Sequence, residues 1–392
     1  MTETSGANGL AVPPIPGLLE AVRAARVAAP AVDRDARFPI EAISVLKEAN
    51  LLSCGLPAEL GGGGYRISAL AIVARALGAA CSSAGMVFAM HQTQALVLAK
   101  YARSGPVADL AAHISANNLL LASATTESTT GGDVGFSTCA VLRDGDTVRL
   151  DKNAPVISYA EHADYICATA RRHPEAVKSD QVLLLCPAGE TTLQRVGTWD
   201  TLGFRGTCSP GYQLSCRTSA ANLIPADYAS ISTTTMLPAS HTLWAAVWLG
   251  IADAAYAKAR AVVRQAARKA ANKTVPQASL LADLTVTHQS FESMVWHEVR
   301  RYQKLAESGA GEATINFTIA MNNLKIAAST AVVQVVTEAL QIVGLNGYRE
   351  DHELSMGRLL RDSFAPQLMV SNERIRLNNA NFVLAYRGQG PQ

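Results

Sequence analysis

The stretch at residues 120–164, LLASATTESTTGGDVGFSTCAVLRDGDTVRLDKNAPVISYAEHAD, decides how this chain is organised. It begins with small and hydroxyl-bearing residues, breaks at Gly131 and Gly132, and continues as short β-like runs. The pattern predicts a strand that delivers Thr126 and its neighbours to a flexible loop. Hydroxyl groups beside glycines suit a bound carbonyl or phosphate oxygen better than a dry core. For this stretch alone, a solvated turn between strands explains the residues at least as well.

Length and composition indicate a globular protein of two or three domains. The 392 residues are too many for one small core, and 49% hydrophobic against 17% charged residues allow a large interior. A formal net charge of +2, without a basic stripe, argues against nucleic acid as the main partner. Seven cysteines without a CxxC pair fit reduced thiols and not a disulfide frame or a metal site.

The sequence gives no targeting signal at its N-terminus. The first residues are polar and broken by glycine and proline, without a basic and then apolar pattern. We read no apolar run of the ~18 residues that a membrane span needs. We therefore expect a cytoplasmic protein with no membrane span.

Two changes in hydrophobic period divide the chain into three predicted domains. Apolar residues recur at helical spacing in residues 1–118, at two-residue spacing in residues 119–227, and at helical spacing again in residues 228–392. The predicted fold is α+β and mainly α: an N-terminal helical domain, a small antiparallel β-domain and a C-terminal four-helix bundle. The weakly charged, Ala-rich bundle predicts faces that pack against other subunits.

This order of domains resembles the acyl-CoA dehydrogenase superfamily of flavoproteins, and five motifs carry the resemblance. In chain order they are LPAELGGGGYRISAL, TTESTTGGD, ISYAEHADY, LGFRGTCSPGYQL, and QIVGLNGY followed by LLRD. They look like the family segments P-E-x-x-G-G-x-G, T-E-P-x-x-G-S-D, W-I-T/S-N-x-x-x-A-D, G-x-R-x-S/T, and Q-x-x-G-G-x-G-Y with a later R-D. Each motif alone is weak, but five in the correct order are specific.

The resemblance implies a flavin, FAD or alternatively FMN, between the β-domain and the bundle. It implies that Thr126 and the backbone around Gly131 and Gly132 bind this flavin, and that Ser158 lies near its reactive edge. Cofactor sites at domain interfaces are common, which agrees with that placement.

The resemblance also implies a second part of the flavin site, shared between subunits. Arg268 would contact the flavin phosphate, and Gln341, Gly344 and Gly347 would approach the adenine and pyrophosphate of a flavin bound mainly by another copy. Phosphate held by close backbone approach needs small residues, which suits the glycines. The chain is therefore expected to form a dimer or tetramer.

The sequence departs from the family where an acyl α-proton is removed. The family's glutamate follows the late R-D, where this chain has Val370, and an alternative glutamate position falls near Ser240, followed by His241. Without a carboxylate at either position, His91 or His241 would have to serve as the base. For His91, on an otherwise apolar helix, a hydrogen-bonded core residue is the more common explanation.

Three functions stay open. The first is α,β-dehydrogenation of an acyl thioester of coenzyme A or a carrier protein, with Arg205 and Ser240 as substrate contacts and an electron-transfer partner. A structural turn explains Arg205 equally well.

The second function is monooxygenation with O₂ and with flavin reduced by a reductase. It needs no α-proton base, but the late histidine of such relatives is missing after Asp362. The third is a flavin-free structural partner of an active paralogue, which fits the loss of the family's tryptophan at Val156.

Overall fold

Helices make up both ends of the chain, and two small sheets lie between them. The computed structural model describes residues 14–130, 133–270, 275–308 and 313–386. The helices are α1 (Leu18–Arg34), α2 (Ile40–Glu48), α3 (Ile67–Ala80), α4 (Ser82–Tyr101), α5 (Pro106–Ala116), α6 (Tyr228–Ile231), α7 (Leu237–Lys269), α8 (Gln277–Glu307), α9 (Ile315–Val343), α10 (Leu345–Tyr348), α11 (Gly357–Leu368) and α12 (Asn372–Val383). The strands are β1 (Leu121–Ala124), β2 (Leu142–Asp144), β3 (Thr147–Ala154), β4 (Tyr165–Arg171), β5 (Gln181–Pro187), β6 (Thr191–Val196) and β7 (Gly211–Ser219). The mainly helical α+β fold that the sequence predicts is confirmed.

The N-terminal helices pack around α4, which is buried over most of its length. Helix α4 is apolar on nearly every face because α3, α7 and β1 surround it. Helices α3 and α7 cross closely at Gly78 and Gly250, where an added Cβ on either glycine would collide with the backbone of the other helix. This crossing joins the N-terminal helices to the bundle and leaves His91 of α4 deep inside the protein.

The β-domain contains two sheets. One has the strand order β2-β3-β7-β6 and is antiparallel throughout. The other has the order β1-β4-β5, and its β1 and β4 are parallel, which differs from the purely antiparallel domain that we predict from the sequence. The chain leaves β1, passes through β2 and β3 in the other sheet, and returns beside β1. A parallel pair requires a long crossover of this kind.

Three long helices form the C-terminal bundle, and two short helices take the fourth position. Helix α8 is antiparallel to α7, since Asp253 contacts His288 while Tyr256 contacts Thr285. Short connections then make α7 and α9 parallel. The fourth position is shared by α11 and α12, which pack on α9. The chain breaks between them at Val370, whose φ of 48° lies in the left-handed region.

Helix α9 differs from the prediction that the chain has no apolar run long enough to span a membrane. By length and composition it is apolar enough to cross a membrane, and it is the single such helix in the described ranges. In this fold its buried residues contact α7 and α8 on one side and α11 and α12 on another. In this fold, 44% of its most apolar 18-residue window is buried.

Candidate functional site

The loop that follows β1 is anchored by a buried ion pair between Glu127 and Lys152. Lys152 Nζ lies 2.9 Å from Glu127 Oε1, and the exposed fractions of the two side chains are 0% and 4%. The same carboxylate accepts hydrogen bonds from the hydroxyls of Ser137 and Thr138, each at 2.5 Å, and from the Thr138 N–H at 2.8 Å. Glu127 therefore ties both arms of the loop at residues 125–139 to strand β3.

This arrangement keeps the Glu127 carboxylate ionised. Burial alone would raise the pKa of Glu127, but the hydrogen bonds from Ser137 and Thr138 and the charge of Lys152 outweigh burial and lower the pKa to about 2. Removing one member of such a pair leaves an uncompensated buried charge. The shape of the loop therefore depends on both residues.

Ser158 stands at the end of a chain of hydroxyl groups. Ser209 Oγ donates to Ser158 Oγ at 2.9 Å and lies 2.8 Å from Thr207 Oγ1, which donates to Phe204 O at 2.9 Å. Because Ser158 accepts the bond from Ser209, its own hydroxyl hydrogen is available to an outside acceptor. Ser158 is half-buried, so a ligand can reach it.

Val156 and Thr126 are further residues that the resemblance places at the flavin. Val156 is 42% exposed and offers an apolar face two residues before Ser158. Thr126 is half-buried, and no described residue hydrogen-bonds its side chain. Gly131 and Gly132, which we expect to bind the cofactor through their backbone, lie outside the described residues. An apolar face with hydroxyl donors suits the ring carbonyls and nitrogens of a flavin.

His91 is buried, and both of its ring nitrogens are bonded to the backbone. Nε2 lies 2.6 Å from Leu52 O, and Nδ1 accepts the Leu121 N–H at 3.0 Å. Nε2 therefore carries the proton. Burial lowers the pKa of His91 to about 4. Neither nitrogen is left for a substrate proton, so these contacts favour the core-residue explanation over a catalytic base.

Replacing His91 with leucine is expected to lower the free energy of unfolding by about 1–3 kcal/mol near neutral pH, because the buried Leu121 N–H loses its partner, while Leu52 O keeps the hydrogen bond from Gln92 Nε2 at 3.0 Å. This difference in the free energy of unfolding between the wild-type protein and the variant should become smaller as the pH falls from 6.5 to about 4. In that window unfolded His91 binds a proton that the folded residue does not, so the wild-type protein loses stability as the pH falls and the variant does not. Urea unfolding at both ends of the window measures this. A loss of turnover at unchanged stability would contradict the assignment.

His241, near the start of α7, has one ring nitrogen fixed by the backbone. Nδ1 lies 3.0 Å from Met321 O on α9, so Nδ1 carries the proton and Nε2 carries the lone pair. No described residue hydrogen-bonds Nε2. Burial, together with the charge of Lys325, lowers the pKa of His241 to about 3, against the opposing effect of the hydrogen bond to Met321 O. The ring is therefore neutral at neutral pH, with an oriented acceptor.

The two positions where the family carries a glutamate differ in their surroundings. The carbonyl oxygen of Val370 accepts a hydrogen bond from Lys325 Nζ at 2.6 Å. Ser240 Oγ donates to Leu237 O at 3.0 Å within α7, so this hydroxyl is engaged inside its own helix. Of the two histidines, His241 alone keeps a ring nitrogen without a partner among the described residues.

Arg205 is held by its own surroundings. Its Nε donates to Asp33 O at 2.8 Å, and one terminal nitrogen donates to Asp200 Oδ1 and Thr201 O, each at 2.7 Å. These bonds fasten the turn before Arg205 to the end of α1. They match the structural-turn explanation, and the predicted substrate contact stays a hypothesis.

The LLRD motif fastens α11 to the rest of the site. Arg361 forms a bidentate ion pair with Asp33, at 2.5 and 3.0 Å. Asp362 accepts hydrogen bonds from Ser82 Oγ at 2.7 Å and from the Phe204 N–H at 2.6 Å. The carbonyl oxygen of Phe204 accepts the hydrogen bond from Thr207 Oγ1, which is part of the chain of hydroxyl groups that ends at Ser158. The motif therefore fixes the end of the bundle relative to the β-domain.

Arg268, Gln341 and Gly344 lie at the opposite end of the bundle from His241. His241 is in the second turn of α7 and Arg268 is in its last, about 27 residues later, which is about 40 Å along a helix. Because α9 is parallel to α7, Gln341 and Gly344 lie at the same end as Arg268. All three residues are exposed.

Gly344 and Gly347 shape the turn that ends α9. Gly344 has a φ of 68°, a conformation that side chains with a Cβ adopt at a cost. Gly347 is buried, and an added Cβ would lie 2.9 Å from Val343 Cγ1. The local structure therefore explains why glycine occupies each of these two positions, independently of whether a phosphate group binds there.

Two surface cavities lie apart from Thr126 and Ser158. The larger, about 820 Å³, lies between the connection of α1 to α2 and the β-domain. The smaller, about 230 Å³, lies between α8 and α9. Neither is lined by Thr126 or Ser158, although Pro210 of the larger cavity follows the Ser209 that bonds Ser158. The larger cavity is lined by Phe38, His162, Arg195, Trp199, Arg205 and Tyr212, among others.

Comparison with known proteins identifies the family. Residues 20–104 match the N-terminal domain of acyl-CoA dehydrogenase, and residues 232–373 match its C-terminal domain. The chain belongs to the acyl-CoA dehydrogenase superfamily. Cyclohex-1-ene-1-carbonyl-CoA dehydrogenase of Geobacter metallireducens is 25% identical over 352 residues, covering 88% of this chain and 89% of that protein.

Solved structures of this superfamily share the fold of the chain. The FMN-bound dibenzothiophene monooxygenase TdsC of Paenibacillus sp. A11-2 aligns with a TM-score of 0.82 at 18% identity, over 96% of this chain and 98% of that one. Butyryl-CoA dehydrogenase of Megasphaera elsdenii aligns with a TM-score of 0.78 at 18% identity, over 96% and 100%. The acyl-CoA dehydrogenase superfamily member described here is an oxidoreductase, and its family implies a flavin cofactor.

Proposed function

We propose that this superfamily member catalyses the α,β-dehydrogenation of an acyl thioester, with FAD as its flavin and His241 as the acceptor of the α-proton. The observation that carries the proposal is the His241 ring, in which Nδ1–H is fixed on Met321 O while Nε2 keeps its lone pair. The imidazole of His241, next to the second glutamate position, acts as the base in place of a carboxylate. Relatives named as acyl-CoA dehydrogenases support the substrate class.

Each residue has a separate part in the reaction. The bound flavin supplies the acceptor for the β-hydride. Ser158 and Thr126 would hold the flavin ring through their hydroxyl groups. His241 Nε2 takes the α-proton, and Met321 O holds the imidazolium through Nδ1–H. The negative charge that develops on the thioester beside His241 raises the pKa of the ring as the proton moves, which offsets the low value in the free chain.

The flavin site in this proposal is completed by a second copy of the chain. Within one chain, His241 and Arg268 are separated by about 40 Å along α7. This distance is too long for both residues to contact the same flavin. Arg268, Gln341 and Gly344 of a partner copy are then the groups that receive the phosphates and adenine. We therefore expect a dimer or tetramer, in the cytoplasm, with an electron-transfer protein as the next acceptor.

Anaerobic mixing with thioesters tests the proposal. Protein reconstituted with FAD is mixed with butyryl-CoA, or with the saturated ring thioester cyclohexane-1-carbonyl-CoA, without NADH. We expect the visible flavin absorbance to bleach with at least one of them. Bound flavin that never bleaches with either thioester would overturn the proposal. Protein that takes up neither FAD nor FMN would instead support a structural partner subunit.

Monooxygenation is the second candidate, and one observation favours it. Neither glutamate position carries a carboxylate, and chemistry with reduced flavin and O₂ needs no α-proton base. In this case a flavin reductase is the partner, and NADH with the reductase supplies the reduced flavin. O₂ consumption that rises on addition of dibenzothiophene or indole, together with no bleaching by thioesters, would favour this candidate over the first.

A further inference from the structure

Lys325 is a buried cation that is bonded to neutral oxygens. It lies in the middle of α9, and the residue has no exposed surface. Its Nζ donates to Val370 O at 2.6 Å and to Asn372 Oδ1 at 2.7 Å. Within the described residues, no carboxylate lies at ion-pair distance from it. A buried ammonium without a counter-ion is rare because its transfer from water is costly.

The acceptors of Lys325 belong to the turn that joins α11 to α12. Val370 in this turn is β-branched and has a φ of 48°, which is a strained conformation for such a residue. Strain of this kind persists where surrounding contacts enforce it. Asn372 is fixed in turn, since its amide donates to Ser329 Oγ at 2.9 Å. Lys325 and Ser329 are four residues apart on α9 and therefore lie on the same face of the helix. Together they hold the segment from Val370 to Asn372 through hydrogen bonds.

The same face of α9 also holds His241. Met321 O, which fixes the His241 ring, lies one turn before Lys325 on α9. Burial and, to a lesser extent, the charge of Arg376 lower the pKa of Lys325 to about 7. The turn at Val370 and the ring of His241 are therefore positioned from one short segment of one helix.

We propose that Lys325 is a positioning residue, which holds the Val370 turn in its strained conformation against α9 and thereby sets the site wall beside His241. The proposal depends on the proposed function only for its effect on rate. Its effect on the turn is a property of the folded chain alone.

Two variants and one control separate the possibilities. Lys325→Met keeps the length of the side chain and removes both hydrogen bonds. Asn372→Ala keeps Lys325 and removes one acceptor, and it decides the matter if Lys325→Met does not fold. Lys258→Met is the matched control, because Lys258 Nζ also donates to two backbone oxygens, Glu353 O and Ser355 O, each at 3.0 Å, but in a different loop.

The first readout is amide hydrogen exchange in the FAD-reconstituted protein. Lys325→Met should speed exchange at residues 368–373 at least tenfold, Asn372→Ala should do so to a smaller extent, and Lys258→Met should leave this segment unchanged. The second readout is anaerobic bleaching by butyryl-CoA or cyclohexane-1-carbonyl-CoA, whichever reduces the wild-type protein. Lys325→Met should lower the limiting rate at least tenfold, with little change in the thioester concentration at half-saturation.

The outcomes are distinguishable. Unchanged exchange at residues 368–373 in Lys325→Met and Asn372→Ala would overturn the proposal. Faster exchange with an unchanged bleaching rate would overturn the positioning role and leave Lys325 as a packing residue. If the wild-type protein does not bleach with either thioester, the proposed function fails, while the exchange experiment still decides whether Lys325 holds the turn.

Discussion

Replacing His241 with asparagine is expected to slow anaerobic flavin reduction by an acyl thioester at least ~10²-fold, without changing the amount of bound flavin. A positioned general base contributes roughly 10²–10⁴-fold to a rate. Asparagine keeps a donor for Met321 O but has no basic lone pair in place of Nε2. Stopped-flow absorbance with saturating thioester measures the limiting rate, and His91→Leu is the matched control, since His91 is also a buried helical histidine.

The pH dependence of this rate adds a second test of His241. A base must be unprotonated to act, and burial lowers the pKa of His241 to about 3. The rate should therefore show no loss that is due to His241 as the pH falls from 8 to about 5, whereas a histidine of ordinary pKa would give a loss below about 6.5. Equal slowing by His241→Asn and His91→Leu, or no slowing by His241→Asn, would remove His241 as the base.

The second large effect is expected at Glu127. Replacing Glu127 with alanine should lower the free energy of unfolding by about 3–5 kcal/mol, because it leaves the Lys152 ammonium buried and unpaired. Flavin content should fall with it, since the loop that carries Thr126 loses its anchor. Urea unfolding and the ratio of flavin to protein absorbance measure the two effects.

Two further proteins make the Glu127 experiment decisive. In Glu127→Leu with Lys152→Leu both charges are absent, so part of the lost stability should return. Asp151→Asn breaks the exposed ion pair with Arg149 on the same strand and should change stability by no more than about 0.5 kcal/mol. A Glu127→Ala protein as stable as Asp151→Asn would contradict the anchoring role. Because the folded pKa of Glu127 is about 2, the pair's contribution is lost as the pH falls from 4.5 toward 2.

The sequence predicts much of the fold because periodicity reports burial. Strand β3 shows this, since Val148 and Leu150 occupy inward positions of an alternating pattern. Lys152 occupies the next inward position and was the available signal for a buried ion pair. Its partner is not predictable, because Glu127 reaches it from a loop 25 residues away. The parallel pairing of β1 and β4 is likewise a long-range feature that local pattern does not encode.

The motifs locate the site, but they do not assign roles to individual side chains. His91 and His241 look alike in the sequence, as histidines on apolar helices. The structure separates them by the backbone groups that bond their rings: Leu52 O and the Leu121 N–H occupy both nitrogens of His91, whereas Met321 O occupies one nitrogen of His241. These partners come from other segments of the chain, so spacing along α4 or α7 carries no information about them.

The central claim, that His241 removes the α-proton of a bound thioester, is tested most directly by solvent isotope exchange. The thioester that bleaches the wild-type protein is incubated anaerobically with FAD-reconstituted protein in D₂O, and recovered thioester is analysed by mass. We predict that deuterium enters at the α-carbon with wild-type protein and with His91→Leu, and does not enter with His241→Asn. Equal incorporation by His241→Asn, or none by wild-type protein, would contradict the claim.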